Sequence, residues 1–151
     1  TWFYEMQVLG YNYRITDIQC ALGLSQLRRM EPWLARRRAL AATYDRAFAG
    51  CPGIRPLVVR PGLEHAWHLY VVRVQDRREV FEGMRAAGIG VNVHYIPVHL
   101  HPYYRARLGT GPGLCPTAEA AYEELLSLPM HQSLRDDQVA RVVETLEGLT
   151  R

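Results

Sequence analysis

The sequence predicts an α+β fold in which a small sheet is covered by helices. Three observations support this: two helical patterns open the chain, a Gly-Cys-Pro-Gly turn follows at residues 50–53, and the composition then shifts toward strand-forming residues. From residue 54 onward the predicted order is strand, strand, helix, strand, loop, helix, helix. This order favours a single sheet with helices packed on it.

The first two predicted helices form a long arm. Thr16 and Gln19 fit a T-x-x-Q capping box, so the first helix is expected to begin there. Pro32 suits the first turn of a helix but breaks a helix interior, and a second helix is therefore expected from Pro32 to the turn at residues 50–53. Such an arm either docks outside its own domain or packs into a local core, and the sequence leaves both open.

Beyond the turn, the apolar pattern changes. Residues 54–59 and 66–75 are rich in Val, Leu, Tyr and Trp and predict two strands. Residues 76–79 repeat the capping pattern, so a helix is expected from there until Gly88 ends it. This change of composition marks a domain boundary.

The next segment alternates between apolar and polar side chains. Residues 89–95 therefore predict a strand, with Asn92 and His94 on its polar face. Residues 109–116 contain three glycines and two prolines and predict a mobile loop.

Two helices are expected to close the chain. One starts at Thr117 and runs through Leu126, and the other follows capping residues at 133–136. The apolar side chains of the last helix recur at i, i+3, i+4 and i+7, as Val139, Val142, Val143 and Leu146.

Composition limits the class of protein. With 48% apolar and 22% charged residues in 151, the chain has the composition of one soluble globular domain. It begins at Thr1, without an initiator methionine or a leader pattern, and we expect a truncated start. No apolar run approaches the roughly eighteen residues needed to span a bilayer. We therefore expect a cytoplasmic protein without membrane insertion.

Cysteines and charges exclude further classes. Cys20, Cys51 and Cys115 are widely spaced and lack a C-x-x-C pair, which argues against a disulfide framework or a zinc ribbon. The net charge is only +3. The arginine triplet at residues 36–38 would fan around a helix, so a solvated helix face is favoured over a nucleic-acid surface.

The first candidate site precedes the first helix. Gly10 allows a turn, and Asn12 and Arg14 follow it with an amide and a fixed cation. Together with the free N–H groups of a helix N-terminus, these groups suit an anion. The alternative is that Asn12 only turns or caps the chain.

The second candidate site is the histidine segment. His94, His99 and His101 lie within eight residues, which suggests a metal site. However, their spacings are five and two, Pro97 interrupts the strand, and no acidic residue or cysteine lies among them. A metal site is therefore disfavoured. Histidines bonded to local backbone remain an alternative to a ligand-binding role.

Two motifs resemble a known family. G-Y-N-Y-R-x-T-D-I-Q-x-A-L-G-L-x-Q-L, at residues 10–27, resembles the signature of the DegT/DnrJ/StrS-type sugar-nucleotide aminotransferases, which are pyridoxal phosphate enzymes of fold type I. H-Y-I-P-V-H, at residues 94–99, resembles the family's H-Y-x-P-x-H. Residues 128–131 continue the likeness, which covers essentially the whole chain. The lead-in at residues 2–9 is closest to the branch that aminates a UDP-linked 4-keto-6-deoxy-hexosamine on the route to pseudaminic acid.

The resemblance implies a domain organisation. The chain would be the C-terminal part of a homodimer with shared active sites, which uses glutamate and a UDP-sugar substrate. Residues 1–15 would end the large cofactor-binding domain, residues 16–50 would connect domains and subunits, and residues 51–151 would form the small domain.

The resemblance also implies roles for single residues. Asn12 would reach the pyridoxal phosphate of the neighbouring subunit, and Arg14 would either support the phosphate-bearing ligand or lock the turn. His94, Tyr95 and His99 would bind the substrate. In that role, either histidine would form a hydrogen bond with a sugar hydroxyl or with the diphosphate, and the ring of Tyr95 would stack on the ligand.

The chain has 18 arginines and no lysine. Family members hold their cofactor as a Schiff base on a lysine, and the guanidinium of arginine stays protonated and cannot replace that amine. The chain alone is therefore expected to be inactive and to supply no catalytic residue. The alternative is a free-standing, non-catalytic module that binds a phosphorylated sugar or a partner protein. Nucleic-acid binding through arginines and tyrosines is a third possibility.

Overall fold

The computed structural model describes residues 5, 8–11 and 13–151. The helices and strands are, in chain order, α1 (Asp17–Leu27), α2 (Met30–Phe48), β1 (Ile54–Pro56), β2 (Tyr70–Val74), α3 (Arg77–Ala86), a 3-10 helix (Val98–Leu100), α4 (Pro102–Leu108), α5 (Pro116–Glu124), β3 (Leu125–Leu128) and α6 (Asp136–Leu149). The chain divides into two compact units, Thr1–Pro32 and Trp33–Arg151. No helix among the described residues is long and apolar enough to cross a membrane.

The first unit contains α1, which begins where the sequence predicts. The N–H of Gln19 donates to Thr16 Oγ1 at 3.4 Å, and the N–H of Thr16 donates to Gln19 Oε1 at 2.9 Å. The predicted capping box is therefore confirmed. The large apolar side chains of α1 are 58–83% exposed: Ile18, Leu22, Leu24 and Leu27. The helix therefore presents an apolar surface.

The second unit is built on a three-stranded antiparallel sheet of order β1-β2-β3. Ile54 lies opposite Val74, and Tyr70 lies opposite Leu128. Along the central strand β2, fully buried and half-buried side chains alternate. The two strands predicted from residues 54–59 and 66–75 are present, although both are shorter than the patterns.

Helices α2, α3 and α6 share one core with the sheet. Their buried side chains are Leu40, Tyr44 and Phe48 from α2, Val80 and Met84 from α3, and Val139, Val142 and Leu146 from α6. The apolar period predicted for the last helix is therefore its buried face. The result is the α+β arrangement of a small sheet covered by helices.

The predicted helix through Leu126 is wrong at its end. α5 stops at Glu124, and Leu125–Leu128 form β3 instead. Their backbone pairs with β2, and Pro129 follows them directly. The helical conformation is disfavoured for a residue that precedes proline, such as Leu128, so this segment pairs with the sheet instead of extending α5.

The strand predicted at residues 89–95 is also wrong. Ile89 and Val91 are 6% and 3% exposed, as the alternation requires. In this segment, which is described throughout, pairing is limited to an isolated antiparallel bridge between Asn92 and Ser127. The Asn92 side chain accepts a hydrogen bond from the N–H of Val93 at 2.8 Å, so this donor is satisfied locally instead of by a neighbouring strand.

Two further local features differ from the patterns. Asp76 has a left-handed backbone, with φ of 47°, and makes no side-chain hydrogen bond at the start of α3. The predicted cap at residues 76–79 is therefore not formed. Pro102–Leu108 forms α4, a helix that the sequence patterns do not predict.

Two neighbours in the arginine triplet have different surroundings. Arg37 Nη1 donates to three carbonyl oxygens, those of Trp67 at 2.7 Å, His68 at 3.2 Å and Met130 at 3.1 Å. It therefore ties α2 to two loops of the second unit. Arg38 is exposed. The predicted solvated helix face is therefore correct for Arg38 and wrong for Arg37, whose guanidinium bonds to carbonyl oxygens of the second unit.

We predict that Arg37→Met lowers the free energy of unfolding by about 2–3 kcal/mol, because three carbonyl oxygens lose a charged donor. Arg38→Met is the matched control. Among the described residues, Arg38 pairs only with Glu64, at 3.5 Å, and the Glu64 side chain is 91% exposed. A surface pair of this kind contributes at most about 1 kcal/mol. Urea unfolding of both variants measures the difference, and equal losses would contradict the role of Arg37.

A second prediction concerns Gly53, which has φ of +84° and whose added Cβ would lie 2.8 Å from the carbonyl oxygen of Thr150. Gly50 has φ of +77° and open space around it. Gly50→Ala is expected to cost about 1 kcal/mol for the left-handed backbone alone. Gly53→Ala adds a clash with backbone and is expected to cost about 2–4 kcal/mol. Thermal or urea unfolding compares the two, and a Gly53→Ala loss no larger than that of Gly50→Ala refutes the close approach.

Candidate functional site

Asn92 anchors the segment that carries two of the predicted substrate residues. Its N–H donates to the carbonyl oxygen of Ser127 at 3.2 Å, and the N–H of Ser127 donates to the carbonyl oxygen of Asn92 at 2.8 Å. Ser127 lies in β3 and is only 4% exposed. This pair of bonds fixes the segment to the sheet edge, and His94 and Tyr95 follow directly.

Both ring nitrogens of His94 have partners. Nδ1 lies 2.8 Å from Ser127 Oγ, and Nε2 lies 3.3 Å from Asn92 Nδ2. The side chain is half-buried. These contacts hold the imidazole against β3.

Tyr95 is the exposed member of the segment. Its ring meets the ring of His94 edge to face, with centroids 4.5 Å apart and planes at 81°. The peptide bond between the two residues is cis. Tyr95 is 72% exposed, so most of its aromatic surface is open to a ligand. The structure thus brings these two predicted site residues together.

His99 is bonded to an acidic residue. Its Nε2 lies 2.8 Å from Glu119 Oε1, and the His99 side chain is only 10% exposed. The same carboxylate accepts from the N–H groups of Gly113, at 2.9 Å, and Cys115, at 3.2 Å. Thr110 Oγ1 donates to the carbonyl oxygen of His99 at 2.8 Å. His99 and Glu119 therefore fasten residues 109–115, the predicted loop, to α5.

Hydrogen bonds explain the acidity of Glu119. The N–H of Gly113 is the largest cause, and His99 is the next; together they lower the pKa of the Glu119 carboxyl below its usual range. The carboxylate is therefore the stable form in these surroundings.

The two predicted histidines serve different neighbours, since His94 contacts β3 and His99 contacts α5. In the described part of the chain, no group of three or more His, Cys, Asp or Glu side chains is arranged to hold a metal ion. Cys20, Cys51 and Cys115 are free thiols.

The other two predicted site residues belong to the first unit. Asn12 lies outside the described residues, so its role stays a prediction. Arg14 is exposed and precedes Thr16, the N-cap of α1, by two residues. An exposed guanidinium next to a helix N-terminus suits a phosphate or carboxylate. Its role also stays a prediction.

Ser127 and Glu119 are not among the site residues predicted from the sequence. Ser127 is a polar residue within an apolar stretch, Leu-Leu-Ser-Leu, and that contrast is a usable signal for a buried hydrogen bond. Glu119 gives a weaker signal, because a glutamate in the first turn of a helix is ordinary. Only its distance from the loop amides shows its role.

A groove on the second unit lies beside this segment and is lined by Val93, Arg77 and Tyr122, among others. Arg77 Cζ lies 5.0 Å from the centre of the Tyr122 ring, so the guanidinium rests on α5. The lining does not include His94, Tyr95 or His99. The candidate site therefore lies outside this groove.

Comparison with known proteins decides the family. The sequence profile of the DegT/DnrJ/EryC1/StrS aminotransferase family matches residues 1–147. The chain belongs to this family. The resemblance seen in residues 10–27 and 94–99 is therefore confirmed.

Curated relatives in the aminotransferase family are much longer than this chain. The chain is 37% identical to the spore coat polysaccharide biosynthesis protein SpsC of Bacillus subtilis over 158 residues, which cover 100% of this chain and 41% of that protein. It is 33% identical to the UDP-4-amino-4,6-dideoxy-N-acetyl-beta-L-altrosamine transaminase of Campylobacter jejuni over 150 residues, with coverages of 96% and 39%. The chain thus spans about two fifths of the length of these relatives.

Solved structures of the family share the fold. DesV from S. venezuelae matches with a TM-score of 0.91 at 36% identity, over 98% of this chain and 40% of that chain. Spr1654 from Streptococcus pneumoniae, in its PLP form, matches with a TM-score of 0.88 at 35% identity, over 99% and 39%. These matches confirm the predicted fold class.

We predict that Glu119 holds the loop in a pH-dependent way. Its pKa is lowered in the folded protein, so its contacts are complete above the usual carboxyl pKa and are lost as the pH falls through the lowered value. Hydrogen exchange of the Gly113 and Cys115 amides is the measurement. Protection of these amides is expected to fall in acid in the wild-type protein, and to be low and independent of pH in Glu119→Gln.

The control for this prediction is Glu123→Gln, on the same helix, because the Glu123 side chain is 74% exposed. This variant should keep the wild-type protection at both amides. Wild-type protection at neutral pH in Glu119→Gln would refute the predicted fastening of the loop.

Proposed function

We propose that this chain is the C-terminal part of a pyridoxal phosphate-dependent sugar-nucleotide transaminase, which moves an amino group from glutamate to a keto-sugar nucleotide. The observation that carries the proposal is the family match over residues 1–147 in a chain that spans about two fifths of its relatives. The proposed acceptor is a UDP-linked 4-keto-6-deoxy-hexosamine on the route to pseudaminic acid. The UDP-sugar transaminase among the relatives supports this choice.

The cofactor is proposed to be pyridoxal phosphate, as in the PLP form of Spr1654. When bound, it supplies the electron sink that amino transfer needs. The groups of this chain fit its phosphate, because Arg14 offers an exposed guanidinium and Asn12 would add a neutral donor. No group fits the covalent attachment, because the chain has no lysine and arginine stays protonated. That amine would come from outside these residues, so the chain alone is proposed to be inactive.

His94 and Tyr95 are proposed to contact the sugar nucleotide. The open ring of Tyr95 supports a stacking role, and the fixed imidazole of His94 supports a hydrogen bond to the ligand. For His99, the bond to Glu119 supports an indirect contribution, in which His99 shapes residues 109–115 beside the substrate.

The complete protein is proposed to be a cytoplasmic homodimer with shared active sites. Residues 1–15 would belong to the large domain, residues 16–50 to the connecting helices, and residues 51–151 to the small domain. Exposed apolar residues on α1 support this arrangement, since Ile18 is 83% and Leu22 is 61% exposed. A helix with such a surface is typical of an interface.

The natural protein that contains this chain is expected to bind pyridoxal phosphate and to transfer the amino group of glutamate to the keto-sugar nucleotide. The measurements are its intact mass, its cofactor absorption spectrum and the amino transfer itself, all on one sample. A mass near 17.3 kDa without cofactor would contradict the proposal and would leave a non-catalytic module.

Within that protein, Asn12→Ala is expected to weaken cofactor retention about three- to tenfold, the loss of one hydrogen bond, while folding is preserved. Equilibrium dialysis of the cofactor and thermal unfolding are measured together. Gln132→Ala is the control, because it removes a similar amide from the second unit. Unchanged retention in Asn12→Ala would show that the role assigned to Asn12 is wrong.

A further inference from the structure

We infer that Asn92 and Ser127 hold His94 as the neutral tautomer with its hydrogen on Nδ1, so that His94 accepts a hydrogen bond from a sugar hydroxyl rather than donating one to the diphosphate. The tautomer follows from contacts within the second unit. The choice of ligand group rests on the proposed function, and it makes His94 a residue that determines specificity.

The orientation of the Asn92 amide is fixed by its neighbour. The N–H of Val93 donates to Asn92 Oδ1 at 2.8 Å, and only the oxygen of an amide side chain can accept this bond. The oxygen therefore points at the backbone. As a consequence, the Nδ2 group faces His94.

The protonation form of His94 follows from this orientation. Asn92 Nδ2 lies 3.3 Å from His94 Nε2, and an amide nitrogen can only donate. His94 Nε2 must therefore accept, which means that it carries no hydrogen. A neutral imidazole without hydrogen on Nε2 carries one on Nδ1.

Ser127 completes the arrangement. The hydrogen on His94 Nδ1 points to Ser127 Oγ at 2.8 Å, a normal hydrogen-bond distance. Because Ser127 is only 4% exposed, water has little access to this acceptor. Asn92 and Ser127 are thus positioning residues, one for each ring nitrogen.

A ligand meets His94 at Nε2, the ring nitrogen whose partner is an exposed side chain. The contact with Asn92 Nδ2 is long at 3.3 Å, and a ligand hydroxyl at the shorter distance typical of O–H donors can replace it. A diphosphate oxygen carries no hydrogen near neutral pH and would face the nitrogen lone pair. The tautomer therefore discriminates between the two ligand groups, in favour of the hydroxyl.

The first test reads the tautomer directly. The natural protein is labelled with 15N-histidine, and the long-range proton–nitrogen couplings of each ring show which nitrogen carries the hydrogen. His94→Gln identifies the His94 signals by their loss. The expected result is hydrogen on Nδ1, and hydrogen on Nε2 in the wild-type protein would overturn the inference.

The second test replaces the donor that faces His94 Nε2 with an acceptor. Asn92→Asp keeps the shape and still accepts from Val93, but it places an acceptor where Asn92 Nδ2 donates. Nε2 is then expected to gain a hydrogen, and the KM for the sugar nucleotide is expected to rise about three- to tenfold with little change in kcat. Gln138→Glu, which makes the same chemical change on α6, should leave KM unaltered.

UDP separates the two ligand groups, because as a competitive inhibitor it carries the diphosphate but lacks the hexose of the substrate. If His94 contacts a hydroxyl of that hexose, the inhibition constant of UDP stays at its wild-type value in Asn92→Asp. An equal rise for UDP and substrate overturns the assignment to a hydroxyl, as does a switched tautomer with unchanged KM. Absence of amino transfer in the wild-type protein would refute the proposed function instead, and the nitrogen couplings would still decide the tautomer.

Discussion

The second unit depends on the pairing of β3 on both of its sides. Leu125–Leu128 pair with β2, and Ser127 reaches the other side to pair with Asn92. Neighbouring strands lie about 4.8 Å apart, so this one strand sets how far the segment after Asn92 lies from the core. The Ser127 side chain also holds the ring of His94. Core packing and the candidate site therefore share a single strand.

A local signal in the sequence predicts where α1 begins. Thr16 and Gln19 are three residues apart, so the sequence contains the whole interaction that starts α1. The segments whose secondary structure was predicted wrongly have partners that are distant in sequence. In β3, Leu128 pairs with Tyr70, and the ring of His94 contacts Ser127, which lies 33 residues further along the chain. Periodicity describes one segment at a time, and a register between two segments is outside what it can show.

The same limit applies to the candidate site. His94 and Tyr95 could be named as candidates, because the motif gives residue types in a fixed spacing. Glu119 could not, since its role depends on loop amides that fold back onto α5. The same holds for the arginine triplet. Arg37 bonds to three carbonyl oxygens and its neighbour Arg38 does not, and the two residues are identical in a sequence pattern.

The sheet leaves little free strand edge. On one side β1 has three residues and ends at Pro56, which has no N–H to donate. On the other side Asn92 occupies β3 at Ser127. Long open edges are templates for strands of other chains, and they promote aggregation. The second unit can therefore expose apolar side chains such as Tyr95 and Val98 while offering little strand edge on which foreign strands could assemble.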